Sequence, residues 1–98
     1  MTLPLEGIRV VDLTTVLFGP FATQLLGDLG AEVIKVEGPA GDPTRAIGPA
    51  RNDGMAAGFF GANRNKKSIC LHLKREPARQ ALWALVDSAD VFVHNIRL

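Results

Sequence analysis

Between Gly54 and Arg75 the chain carries Arg64, Lys66, Lys67, Lys74 and Arg75 and no acidic residue, a local charge of +5 in a chain whose remainder carries −4. A phosphate-rich ligand would be drawn to such a stretch, because guanidinium groups grip phosphate with two parallel hydrogen bonds. The competing reading is a solvated basic edge that discourages pairing with another strand. A P-loop at Gly61-Ala62-Asn63-Arg64-Asn65-Lys66-Lys67-Ser68 fails, since Lys66 takes the place of the second glycine and a strand follows instead of a helix. A dinucleotide fingerprint fails too: Thr14-Thr15-Val16-Leu17-Phe18-Gly19 lacks the glycines that let backbone approach a pyrophosphate, which disfavours nicotinamide and flavin cofactors.

The two histidines, His72 and His94, fall on or at the end of predicted strands without a Cys, Asp or Glu at metal-ligand spacing, so no metal site is expected. The lone cysteine, Cys70, excludes an internal disulfide and any CxxC site and reads as a small structural residue between Ile69 and Leu71. Asp12, Asp42 and Asp90 occupy ordinary structural positions: the end of a strand, the opening of a turn and the approach to a strand. No catalytic triad can be assembled.

These residues are positioned by a regular alternation of elements. Ile8 to Leu13 is short, β-branched and apolar on both faces except at Arg9, as a strand covered on two sides would be. Pro20 suits the first turn of a helix, apolar positions Phe21, Leu25, Leu26 and Leu29 recur at spacings of three and four, and Gly30 stands where a left-handed cap belongs. Glu32 to Glu37 alternates charged and β-branched residues and predicts a second strand with one apolar and one wet face. From Gly38 to Gly58 five glycines and three prolines predict a long loop; loops of that length usually bind something, cover a site or pack on a partner. Lys67 to Leu73 reads as a third strand, with Ile69, Leu71 and Leu73 on one side. Glu76 to Ser88 reads as an amphipathic helix with Ala78, Leu82, Leu85 and Val86 at helical spacing, and Val91 to His94 as a fourth strand. The order β-α-β-loop-β-α-β, with helical crossovers, points to a parallel α/β sheet.

At 98 residues the chain holds one small domain and no second. A net charge of +1 excludes whole-molecule attraction to nucleic acid or anionic membrane as the guiding idea. Residues 1–6 lack the basic and apolar regions of a secretory signal, and no apolar run approaches the roughly 18 residues of a membrane span, so a cytoplasmic location is expected. With no helix to cover the last strand, the chain looks like the front of a larger protein. In open parallel sheets ligands sit beyond the carboxyl ends of the strands. Those ends are Asp12 to Phe18, Glu37 to Arg45, Leu73 to Arg75 and His94 to Arg97, which could share one cleft.

Pro4-Leu5-Glu6-Gly7-Ile8-Arg9-Val10-Val11-Asp12, Gly19-Pro20, Leu29 through Glu37, Gly41-Asp42-Pro43-Thr44-Arg45, Asn63 through Ile69, and Ala89-Asp90-Val91 with Asn95 run in this order over essentially the whole chain. In these features the chain resembles the amino-terminal part of the family III CoA-transferases, the group that includes formyl-CoA transferase, carnitine CoA-transferases and α-methylacyl-CoA racemase. The resemblance implies a Rossmann-like parallel sheet of which residues 1–98 are the incomplete N-terminal part of a larger CoA-binding domain, in subunits that interlock as a homodimer. It implies CoA transfer between an acyl-CoA and a carboxylic acid through an enzyme-bound aspartyl intermediate, with coenzyme A a substrate and no tightly bound cofactor. The family's nucleophilic Asp lies beyond position 98, so the chain alone is expected to be inactive. What carries over is CoA contact: by Val16, Leu17 and Phe18 after the first strand, by Leu73 and Lys74 after the third, by Asn95, Ile96 and Arg97 after the fourth, and by Arg45 after Gly-Asp. His72 replaces a common acidic residue, and Ile96-Arg97-Leu98 departs from the usual aromatic-Arg-Pro-Gly continuation. The alternatives are an acyl-CoA racemase fragment, working by α-proton exchange, and a non-catalytic structural or dimerisation module.

Overall fold

The computed structural model describes residues 2–97. Strands β1 (Arg9–Asp12), β2 (Glu32–Glu37), β3 (Lys66–Cys70) and β4 (Val91–Val93) form one sheet in the order β3-β2-β1-β4. Every pairing is parallel, with Val10 beside Val33 and Val91, and Val36 beside Ile69. Helix α1 (Phe18–Asp28) connects β1 to β2, and helix α3 (Glu76–Asp87) connects β3 to β4. Two further segments of the expected long loop are ordered: a 3-10 turn, Pro43–Ala46, whose N-cap Asp42 accepts from the Thr44 N–H, and the single-turn helix α2 (Ala57–Phe60). The β-α-β-loop-β-α-β order therefore holds, with these short turns added inside the loop.

The central strands β1 and β2 are buried on both faces, as parallel strands usually are, whereas the edge strands β3 and β4 are largely exposed, and the two faces differ. On the α3 side Val11, Leu13 and Val36 pack against Leu82, with Leu71, Leu73, Leu85 and Val86 around them. Each such fully buried aliphatic side chain contributes roughly 1.5–3 kcal/mol of transfer free energy. On the α1 side the apolar cluster of Val10, Ala31 and Val33, joined by Leu26, covers only the amino end of the sheet. Beyond it, Asp12, Lys35 and Glu37 are buried. The face of β2 expected to be wet is thus covered, and its charges are accommodated by pairing instead of by water.

Helix α1 starts at Phe18, with Pro20 in the first turn as expected, where a missing N–H has no helical partner. It ends as expected: Gly30 adopts φ +107°, its N–H donates to the Gly27 carbonyl and the Ala31 N–H donates to Leu26, the paired bonds of a Schellman cap. Its orientation reverses what its apolar periodicity suggests. Pro20, Thr23, Gln24 and Gly27 are its buried residues, whereas Phe21, Leu25 and Leu29 are each close to half exposed. The cause is what lies opposite: the Thr23 hydroxyl donates to Asp12 at 2.6 Å, and the Gln24 carbonyl oxygen accepts from the Arg64 N–H at 2.9 Å. Strand β3 ends at Cys70, three residues earlier than expected. Leu71 makes one more ladder bond to the Glu37 carbonyl, and the chain then turns through a bond from Arg75 to His72.

Candidate functional site

A continuous chain of buried polar groups runs under α1 toward the carboxyl end of the sheet. The Lys66 ammonium lies 3.0 Å from Asp12 and donates to the Asn63 side-chain oxygen at 2.9 Å. The same oxygen accepts from Lys35 at 2.9 Å, and Lys35, 0% exposed, donates onward to Asp42 at 2.7 Å and to the Thr14 carbonyl at 3.2 Å. All three Lys35 N–H donors are satisfied, as a buried ammonium requires. Burial alone would raise the Asp42 carboxyl, but Lys35 and the N–H and hydroxyl of Thr44 outweigh it and hold the group below the usual carboxylate range. Burial dominates at Lys66 and lowers its ammonium against the opposing pull of Asp12. At the end of β2, Glu37 is raised by burial but brought down to about 2 by Arg45, Ser68 and the Asp42 N–H.

This chain of groups shapes the loop after β1. The Thr14 N–H donates to Asp12 at 2.8 Å and its carbonyl accepts from Lys35. The Thr15 N–H and carbonyl are both engaged by the Asn95 amide, at 3.1 and 2.9 Å. The Val16 N–H is shared by the two Asp42 oxygens at 3.3 Å each. Side chains remote in sequence thus bind the backbone of three consecutive residues. Val16 is held at φ +73°, a left-handed conformation costing a β-branched residue roughly 1–3 kcal/mol. Beyond it Leu17 is half exposed and Phe18 is 85% exposed. Gly19 permits the close return of the chain, since a Cβ there would stand 2.6 Å from the Thr14 Cβ.

The strand ends converge. Leu73 and Ile96 line one hollow of about 210 Å³ together with Leu13, Thr15, Val36, Glu37, Gly38, Gly41 and Asp42. Asn95 stands beside it as the clamp on Thr15, and Val16 follows directly from its wall. Lys74 and Arg97 are exposed on the adjoining segments. Arg45 lies across the Gly38–Gly41 turn, lining a second hollow of about 250 Å³ that shares Glu37, Gly38 and Gly41. Its guanidinium is 3.7 Å from the Phe59 ring centroid, grips both Glu37 oxygens at 2.7 Å and donates to the Gly54 carbonyl, so it braces the long loop. A larger apolar hollow of about 450 Å³, lined by Pro49, Met55 and Phe60, contains none of the expected contact residues.

Three of the five cations in the basic stretch are internally paired: Arg64 with Asp28 at 2.7 Å, Lys66 with Asp12, and Lys67 with Glu32 at 2.8 Å. The stretch links β3 to α1 and β2, which corrects the phosphate-patch reading for those three residues; the solvated-edge reading fails only for the buried Lys66, since Arg64 and Lys67 stay exposed at the edge strand, and Lys74 and Arg75 make no ion pair among the described residues. Cys70 is exposed at the end of β3 instead of packed. Asp12 and Asp42 are structural, as expected, but as buried centres of ion pairs. Their partners Lys35, Asn63 and Lys66 went unrecognised from sequence; a lysine flanked by Ile34 and Val36 in a two-sided strand was the available signal. Among the described residues no group of three His, Cys, Asp or Glu side chains could hold a metal ion, and no helix is long and apolar enough to cross a membrane.

A family model described as CoA-transferase family III matches residues 5–98. Succinyl-CoA:glutarate CoA-transferase of Mus musculus is 54% identical over 93 residues, covering 94% of this chain and 21% of that protein. Acetyl-CoA:oxalate CoA-transferase of Acetobacter aceti is 47% identical over 95 residues, covering 96% of this chain and 24% of the relative. A solved CAIB/BAIF family protein from Brucella suis superposes with a TM-score of 0.91 at 44% identity, covering 98% of this chain and 26% of that one. The chain spans about a quarter or less of the length of these relatives.

Proposed function

The chain belongs to CoA-transferase family III, and on that premise we propose that it supplies part of the coenzyme A site of an enzyme moving CoA from an acyl-CoA to a carboxylic acid. The observation that carries this reading is the convergence of Leu73 and Ile96 with the side-chain-bound loop after β1 on one hollow, the place where parallel sheets take nucleotide ligands. Val16, Leu17 and Phe18 present apolar surface to the ligand and Leu73 and Ile96 wall it. Lys74 and Arg97 offer positive charge toward its phosphates, Asn95 fixes the loop, and Arg45, engaged by Glu37, braces the long loop beside the hollow instead of reaching the phosphates. The relatives' names favour a transferase over a racemase, and succinyl-CoA as donor with a dicarboxylic acceptor such as glutarate.

In this reading an Asp carboxylate outside the 98 residues attacks the thioester carbonyl and expels CoA thiolate, leaving a mixed anhydride. The thiolate attacks the aspartyl carbonyl and releases the first acid, giving an aspartyl-CoA thioester. The acceptor carboxylate attacks that thioester, expels the thiolate again, and the thiolate takes the acceptor's acyl group while the Asp carboxylate is regenerated. The thiolate must stay in place between steps, and a preformed CoA site supplies that proximity. Neither Asp12 nor Asp42 can serve as the nucleophile, because both are buried in ion pairs. The exposed apolar stripe Phe18, Phe21 and Leu25 of α1, continued by Leu29 at its cap, supports burial against other parts of an interlocked homodimer.

Calorimetric titration of the chain with CoA tests the assignment. Saturable binding that weakens with salt is expected, with Lys74→Ala lowering affinity roughly fivefold; no binding at any salt concentration overturns it. The chain alone, given succinyl-CoA and glutarate, is expected to show no CoA exchange, and measurable exchange would refute a nucleophile outside these residues.

A further inference from the structure

We propose that Asp42, locked by Lys35, is a positioning residue for the CoA site: it holds Val16 in the left-handed region and thereby sets the course of Val16, Leu17 and Phe18. The inference rests on the assignment of that site. Val16 is one of two non-glycine residues with positive φ among those described, and the only β-branched one. Nothing in its own side chain favours that conformation, so the surroundings must impose it. The Val16 N–H meets both Asp42 oxygens, and Asp42 cannot swing away, because Lys35 and the N–H and hydroxyl of Thr44 engage the same carboxylate at 2.7–2.9 Å. Lys35 in turn binds the Thr14 carbonyl, so one ion pair grips the loop on either side of Thr15. A carboxylate that only capped the 3-10 turn at Thr44 would need neither contact.

Glycine adopts positive φ without strain, so Val16→Gly separates the two roles. Asp42→Asn is expected to weaken CoA binding about tenfold when residue 16 is Val, the release of a strained conformation, and less than about threefold when it is Gly. An equal loss in both backgrounds, as a capping role alone predicts, overturns the proposal. Since Asp42→Asn leaves Lys35 without its ionic partner, Asp42→Asn combined with Lys35→Met supplies a variant with no buried unpaired charge. NMR of that variant is read without CoA. The strong intraresidue HN–Hα Overhauser effect of a left-handed Val16, and the slow exchange of its amide, are expected in the unsubstituted chain and lost in the variant. Their persistence overturns the proposal. If the unsubstituted chain binds no CoA, the site assignment falls by itself, while the NMR comparison still decides whether Asp42 holds Val16.

Discussion

Replacing Asp12 by Asn removes the acid from a pair in which Lys66 is almost wholly buried, its side chain 2% exposed and its ammonium 3.0 Å from the carboxylate. The remaining Lys66 contacts, the Pro20 carbonyl and the Asn63 oxygen, are neutral. Breaking a buried pair from one side costs about 3–5 kcal/mol, against a total stability of roughly 5–15 kcal/mol for a chain of this size. Asp12→Asn therefore sits near the edge of folding at neutral pH. Its pH dependence carries the sharper test. Burial already lowers the Lys66 ammonium below its ordinary value despite the pull of Asp12, and deleting that pull lowers it further. Between the folded value and the unfolded value near 10.5, the unfolded chain binds more protons than the folded one, so stability rises with pH across that window. Urea unfolding of Asp12→Asn should show a loss of several kcal/mol at pH 7 that partly recovers toward pH 10, more steeply than in the unsubstituted chain. A loss under about 1 kcal/mol at pH 7, or no recovery on alkalinisation, would refute the reasoning.

Glu37, held at about 2 in the folded chain against an ordinary value of 4.5, contributes stability that is present above 4.5 and lost as pH falls through about 2; urea midpoints measured between those limits should fall less in Glu37→Gln than in the parent chain. Gly19→Ala would place a Cβ 2.6 Å from the Thr14 Cβ, and thermal unfolding should register the overpacking as a loss of about 1–3 kcal/mol. Leu25→Lys, on the half-exposed outer stripe of α1, should change stability by less than about 0.5 kcal/mol while reducing any self-association seen by light scattering.

Strands β1, β2 and β4 were legible because β-branched runs bounded by glycine, proline or acid admit little else, and Gly30 ended α1 because only glycine takes φ +107° without penalty. The end of β3 was not legible: Leu71 and Leu73 keep the alternation of a strand and pack against the core of Val11, Leu13, Val36 and Leu82, but the ladder stops with the Leu71 N–H and the chain turns away before Leu73. The apolar stripe of α1 misled because periodicity reports which face is apolar, not whether the opposite surface is apolar too, and here that surface holds Asp12 and Lys66. The ionic groups were invisible for a related reason. Asp12 and Lys66 are 54 positions apart, so a local count registers an uncompensated cluster where folding produces a neutral pair. Asn95 is indicated by its place after the last strand and by resemblance; that its amide would serve both backbone groups of Thr15 has no signature in neighbouring residues.

That amide clamp joins positions 80 apart in sequence. The loop after β1 cannot acquire its final contour when β1 and α1 form; it must wait until β4 has docked beside β1 and delivered the segment that follows. Contacts of such long range close late, after most of the chain entropy has been spent. A ligand resting on that loop would consequently act as a latch on the sheet's edge, slowing the detachment of β4 far more than the fraying of α3, and amide exchange along Val91 to Val93 would register its arrival at a distance.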